Sequence, residues 1–138
     1  GEIRVVYVGA GGSIMGKGWS ELLRCLAART VPPALRIRLF GTDTNWAANQ
    51  RRPLQDLAMD ASLGSVVCEE PARVSYGDSM ALTAGAHGLL VLGVDDPSYR
   101  PSKLQTCLAS GLPVLAVLRG DSDLCGLLCR CGPGVHVV

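Results

Sequence analysis

The sequence predicts an α/β fold: a three-layer domain in which a parallel sheet of about six strands lies between helices. Two observations predict it. Strand-like and helix-like patterns alternate from one end of the 138 residues to the other. Hydrophobic residues make up 48% of the chain but aromatic residues only 4%, so the interior must be built from Val, Leu, Ile and Ala. That diet suits parallel strands covered on both faces by helices.

The elements follow in order. Ile3–Val8 reads as a strand, and a glycine-rich turn leads into a helix through 19–27. Leu35–Phe40 is the second strand. A helical stretch over 46–61 places Leu54, Leu57, Ala58 and Ala61 on one buried stripe. Residues 66–68 form a short third strand, 79–84 a helix, and Gly88–Leu92 a wholly apolar fourth strand. Pro101 suits a first helical position, Ser102 adds a hydroxyl at the same end, and Gly111 suits a left-handed residue closing that helix. The fifth strand starts at Pro113, a helix runs over 123–129 with Ser122 or Asp121 as its N-cap, and a last strand lies at Val135. This order implies right-handed crossovers in a Rossmann-like domain, whose ligands gather at the carboxyl ends of the strands. The loops there are 9–18, 41–45, 69–76, 93–102 and 119–123.

The net charge of +1 gives no electrostatic case for nucleic acid or an anionic membrane. No apolar run approaches the roughly 20 residues that span a bilayer, and no signal-peptide pattern precedes the first strand. Cys25, Cys68, Cys107, Cys125, Cys129 and Cys131 are expected as reduced thiols of an intracellular domain, four of them inside helices or strands. Cys125, Cys129 and Cys131, even with His136, lack the short paired spacings of structural zinc, so no metal is expected. His87 has no Ser, Cys or acid arranged beside it as a triad.

The first loop contains Gly9, Gly11, Gly12 and Lys17, which let backbone N–H groups and one cation approach a phosphate. It contains no Gly-Lys-Ser/Thr and no complete GxGxxG. No acid ends the second strand, where Gly41 and Thr42 follow Phe40, which argues against a dinucleotide-binding domain.

Residues 101–116 resemble the PSKxxEyLAxGxPV stretch in the nucleotide-sugar-binding half of GT-B glycosyltransferases. Val8-Gly9 and Lys17-Gly18 are similar to that family's VGR and KG, although Ala10 stands where its Arg is usual. Residues 71–78 resemble its RVPYEE region. The resemblance implies one half of a GT-B fold, a C-terminal donor-binding domain over 1–138 whose N-terminal acceptor domain is absent and whose own end is truncated. It implies that Gly11, Gly12, Lys17, Ser102 and Lys103 hold the diphosphate of a nucleoside diphosphate-sugar, with Arg100 or Arg119 as substitutes for the missing Arg. Arg73, Val74 and Thr106 would face the nucleoside, and Asp95, Asp96 and Ser98 the sugar. Ser98 and Thr106 stand where the family usually has carboxylates. The nucleotide-sugar is then the substrate, with no separate cofactor, and the chain is placed in the cytoplasm, with peripheral membrane attachment through the missing domain as the variant. The competing reading is a non-catalytic Rossmann-like module with a decayed donor site.

Overall fold

A computed structural model describes residues 1–10, 12–131 and 135–137. The strands are β1 (Ile3–Val8), β2 (Leu35–Phe40), β3 (Val67–Glu70), β4 (Gly88–Leu92), β5 (Val114–Val117) and β6 (Val135–Val137). The helices are α1 (Gly16–Ala27), preceded by a 3-10 turn at Gly12–Met15, α2 (Trp46–Asn49), α3 (Pro53–Asp60), α4 (Tyr76–Ala84), α5 (Leu104–Ala109) and α6 (Asp123–Leu128). The six strands form one all-parallel sheet in the order β3-β2-β1-β4-β5-β6. This is the α/β, Rossmann-like architecture expected from the alternation.

Alternate side chains along a strand point to opposite faces, and here they sort cleanly into two cores. Tyr7, Ile37, Leu39, Leu90, Leu92 and Val117 pack with Trp19, Leu22 and Leu23 of α1 and Leu54 and Ala58 of α3. Val6, Phe40, Leu89, Val91, Val114 and Ala116 pack with Leu104 of α5 and Leu124 and Leu128 of α6. Helices do not cover both faces everywhere. On the α4–α6 side of β2 and β3, Arg36 and Arg38 are half-buried while Cys68 and Glu70 are exposed. Arg38 pairs with Glu70 at 2.7 Å and lies 5.1 Å from the centre of the Phe40 ring.

Local chemistry moves several boundaries. The expected helix over 46–61 is two helices, broken where Gln50 takes a left-handed φ of 47°. Pro53 then opens α3, and a residue before proline is driven out of the helical region, as Arg52 is at ψ 69°. Leu57 falls off the buried stripe and is 37% exposed. Helix α4 starts at Tyr76, earlier than expected, because the Ser75 hydroxyl accepts the Asp78 N–H at 3.1 Å. Helix α5 starts later: residues 101–103 make a turn in which Leu104 N–H donates to Pro101 O at 3.2 Å, and no side chain caps the helix. Gly111 has φ 74° just beyond its end, and Ser122 caps α6.

The β1–β4 seam differs from the other ladders. It registers two residue pairs, Val5 with Gly88 and Val6 with Leu89, against six between β1 and β2. Below these pairs His87 fastens the seam: its backbone N–H donates to Arg4 O at 2.9 Å, and its Nδ1 accepts Arg4 N–H at 3.0 Å. The Arg4 guanidinium adds a bond to Gly85 O at 2.8 Å. That is the work His87 does.

Gly41 turns the chain off β2 with φ 70° while its N–H bonds Glu70 O at 2.9 Å. Left-handed backbone costs a side chain about 1–2 kcal/mol, so Gly41→Ala is expected to lose that much stability in urea denaturation with an unchanged fold by circular dichroism.

Candidate functional site

Strand order reverses direction between β1 and β4, and in parallel sheets ligands sit outside the carboxyl ends at that switch point. A cleft of about 650 Å³ opens there, within the ordinary range for small-molecule sites. Its floor is β1 and β4, including Val6, Val8, Leu89 and Val91. Its rim is polar. Arg73 and Val74 reach it from the segment before α4, and Ser102, Lys103 and Thr106 from the turn and first residues of α5. Arg73 and Lys103 are cations, and among the described residues no carboxylate lines this cleft.

The β1 end of the cleft is fixed by contact. Gly9 lies over Tyr7: a Cβ added there would come within 2.8 Å of the phenol oxygen. Tyr7 is buried and its hydroxyl donates to Ala10 O at 3.4 Å. Burial, and then the nearby Tyr99, push the Tyr7 phenol above its ordinary range, so it stays protonated. Cys107 lines the cleft as a thiol, held up by burial against the opposing pull of Lys103. Tyr76 also lines the cleft and is 82% exposed.

A second hollow of about 320 Å³ lies between α1 and the ends of β4 and β5. Its charged lining is Lys17, Asp95 and Arg119 at one end and the Glu21–Arg24 ion pair along α1. Lys17 Nζ donates to Asp95 Oδ2 at 3.0 Å and Arg119 Nη1 to Asp95 Oδ1 at 2.8 Å, while Arg119 also grips Asp121 through Nε and Nη2 at 2.8 and 2.7 Å. The Lys17 hydrogen bond first, its charge second and Arg119 further down hold the Asp95 carboxyl below its ordinary range.

The residues expected to bind a donor therefore divide. Arg73, Val74, Ser102, Lys103 and Thr106 converge on the large cleft, and Lys17 and Asp95 meet at the smaller hollow. Gly12 opens the 3-10 turn, and Gly11 lies outside the described residues. Asp96 and Ser98 line neither hollow; Asp96 Oδ1 accepts both the Ser98 N–H at 2.9 Å and its hydroxyl at 2.7 Å. Those two bonds hold the Asp96 carboxyl low. Arg100 pairs loosely with Asp123 at 3.8 Å. All six cysteines are free thiols, and among the described residues no three His, Cys, Asp or Glu side chains converge as a metal site. The side chain of His136 lies outside the described residues.

Sequence reasoning missed Glu69, which is 1% exposed. Its Oε1 accepts the Thr42 hydroxyl at 2.6 Å, and its Oε2 accepts the N–H groups of Leu54 and Gln55 at 3.0 and 2.9 Å. Gln55 Oε1 returns a bond to Glu69 N–H at 3.2 Å. The signal was present: in Val67-Cys68-Glu69-Glu70 the strand period puts Glu69 on the inward face with Val67.

No protein-family model matches the chain, and neither does any curated protein. Solved structures do. The lipopolysaccharide outer core galactosyltransferase WaaB, in its apo form, superposes with a TM-score of 0.55 at 16% identity, over 87% of this chain and 32% of that one. The E. coli heptosyltransferase WaaC with ADP-2-deoxy-2-fluoro heptose superposes with a TM-score of 0.52 at 19% identity, over 100% of this chain and 36% of that one. Both are GT-B glycosyltransferases, and this chain has the fold of one Rossmann-like half of them. It spans about a third of the length of each. No helix is long and apolar enough to cross a membrane among the described residues.

Proposed function

We propose that this chain is the donor-binding half of a cytoplasmic glycosyltransferase, holding a nucleoside diphosphate-sugar for transfer by a two-domain enzyme. One observation carries the reading: a cleft at the β1–β4 switch point whose lining charges are the cations Arg73 and Lys103, with no carboxylate among the described residues opposing them. Such a site favours an anion, and a diphosphate fits it. That WaaC is solved with an ADP-sugar analogue supports the ligand class.

In this reading Lys103 and Ser102 hold the diphosphate, with Lys17 beside it. Arg73, Val74 and Thr106 face the nucleoside over the apolar floor, and Asp95 faces the sugar. The chemical step is departure of the nucleoside diphosphate from the sugar carbon. Cations already fixed at its oxygens stabilise the charge that grows there. A second domain supplies the acceptor.

Titration with UDP, GDP, ADP and dTDP, followed by amide NMR, is expected to give saturable shifts with one nucleotide at Arg73 and residues 102–106. Lys103→Ala, removing one charge-assisted contact worth about 1.5–3 kcal/mol, should weaken that binding at least tenfold. Silence with all four nucleotides would overturn the reading. The non-catalytic alternative rests on Ser98, whose hydroxyl is already committed to Asp96, and on the neutral Thr106; nucleotide binding without transfer by the two-domain protein would favour it.

A further inference from the structure

We propose that the Asp95 carboxylate is a resident counter-ion, occupying between Lys17 and Arg119 the place that a phosphate group of the ligand takes, so that phosphate binding displaces it. The inference rests on the donor-site reading and assigns Lys17 and Arg119 a shared anion site.

The geometry is that of a stand-in. Each Asp95 oxygen takes one cation, Oδ2 from Lys17 at 3.0 Å and Oδ1 from Arg119 at 2.8 Å. Two oxygens of a phosphate group can present the same pair of acceptors with more charge. The three side chains come from three elements: the first turn of α1, the loop after β4 and the loop after β5.

Their backbones are clamped. A Cβ on Gly18 would come within 3.1 Å of Gly93 O, and one on Gly93 within 3.2 Å of Val117 O. The side chains are free by comparison, with Lys17 69%, Asp95 51% and Arg119 38% exposed. Ion pairs that open to water are weak and exchange readily. Arg119 also keeps its two bonds to Asp121 when Asp95 leaves, so its Nη1 stays aimed at the vacated place. The hollow beside the triad supplies the room.

The test uses the full 138-residue chain and ligands without a sugar, so that no sugar contact of Asp95 enters. Inorganic pyrophosphate and the four nucleoside diphosphates are titrated calorimetrically into the wild type, Asp95→Asn, Asp60→Asn and the double variant Asp95→Asn/Lys17→Met. Asp95→Asn is expected to tighten pyrophosphate and the cognate nucleotide about three- to tenfold. The double variant should lose that gain. Asp60→Asn, at the exposed end of α3 and outside both hollows, makes the same change in net charge and should stay within about twofold of wild type.

If Asp95→Asn binds no tighter than a wild type that does bind, the counter-ion inference falls and the donor reading stands. Equal gains from Asp95→Asn and Asp60→Asn would also overturn it, as an effect of net charge alone. If neither wild type nor Asp95→Asn binds any of the five ligands, the donor reading itself fails. Should Asp95→Asn melt below wild type, Asp95→Ser takes its place.

Discussion

Trp19→Ala is expected to destabilise the protein by about 3–5 kcal/mol. Trp19 is 0% exposed, sits at the centre of the α1–α3 core, and donates its indole N–H to Leu54 O at 2.7 Å. The truncation removes a large apolar volume, and it removes the second hydrogen bond of the Leu54 carbonyl, which α3 also pairs with the Ala58 N–H. Domains of this size are stable by about 5–15 kcal/mol, so much of that margin goes. Urea denaturation followed by circular dichroism measures the loss. Trp19→Phe separates the two causes: it keeps most of the volume and should lose about 0.5–1.5 kcal/mol for the missing indole hydrogen bond. A Phe variant as stable as wild type would show that the helical bond alone satisfies the Leu54 carbonyl.

Glu69→Ala should come close behind, at about 3 kcal/mol or more. It leaves three donors without their acceptor: the Thr42 hydroxyl and the N–H groups of Leu54 and Gln55. The carboxylate also faces the amino end of α3, where the helix dipole favours negative charge. Glu69→Gln keeps the shape and one acceptor oxygen, and should cost about 1 kcal/mol. Both are read from urea midpoints. Equal losses for Ala and Gln would mean that charge, not hydrogen-bond count, governs the site.

Trp19 and Glu69 act on the same residue, Leu54, one through its carbonyl and one through its N–H. Neither contact is legible along the chain, since the partners are 35 and 15 residues away. What was legible is whatever depends on near neighbours. The apolar stretch Ile3–Val8 and the alternation in Leu35–Phe40 marked two strands, the unbroken run Gly88–Leu92 marked an apolar fourth, and Gly111 marked its turn. The break at Gln50 went unread although Pro53 announced it. The bare face of β2 went unread although Arg36 and Arg38 alternate with Ile37 and Leu39.

The candidate site divides in the same way. The rim residues Ser102, Lys103 and Thr106 stand together because they are adjacent in sequence, and Arg73 and Val74 likewise form one local pair. Which hollow each group faces depends on sheet order, and sheet order is not local. Lys17 and Arg119 are a hundred residues apart in the chain, yet both hold Asp95 because α1 begins where β4 and β5 end.

Each of the two cores reaches across the short β1–β4 ladder: Leu90, Leu92 and Val117 pack with α1 and α3, while Val6 and Phe40 pack with α5 and α6. The seam is stitched from both faces of the sheet, and Arg4 and His87 close it at the end away from the cleft. A molecule in the cleft meets side chains of β1 and β4 together. Its binding and the folding of the seam are then one coupled equilibrium, and each strengthens the other by the same factor.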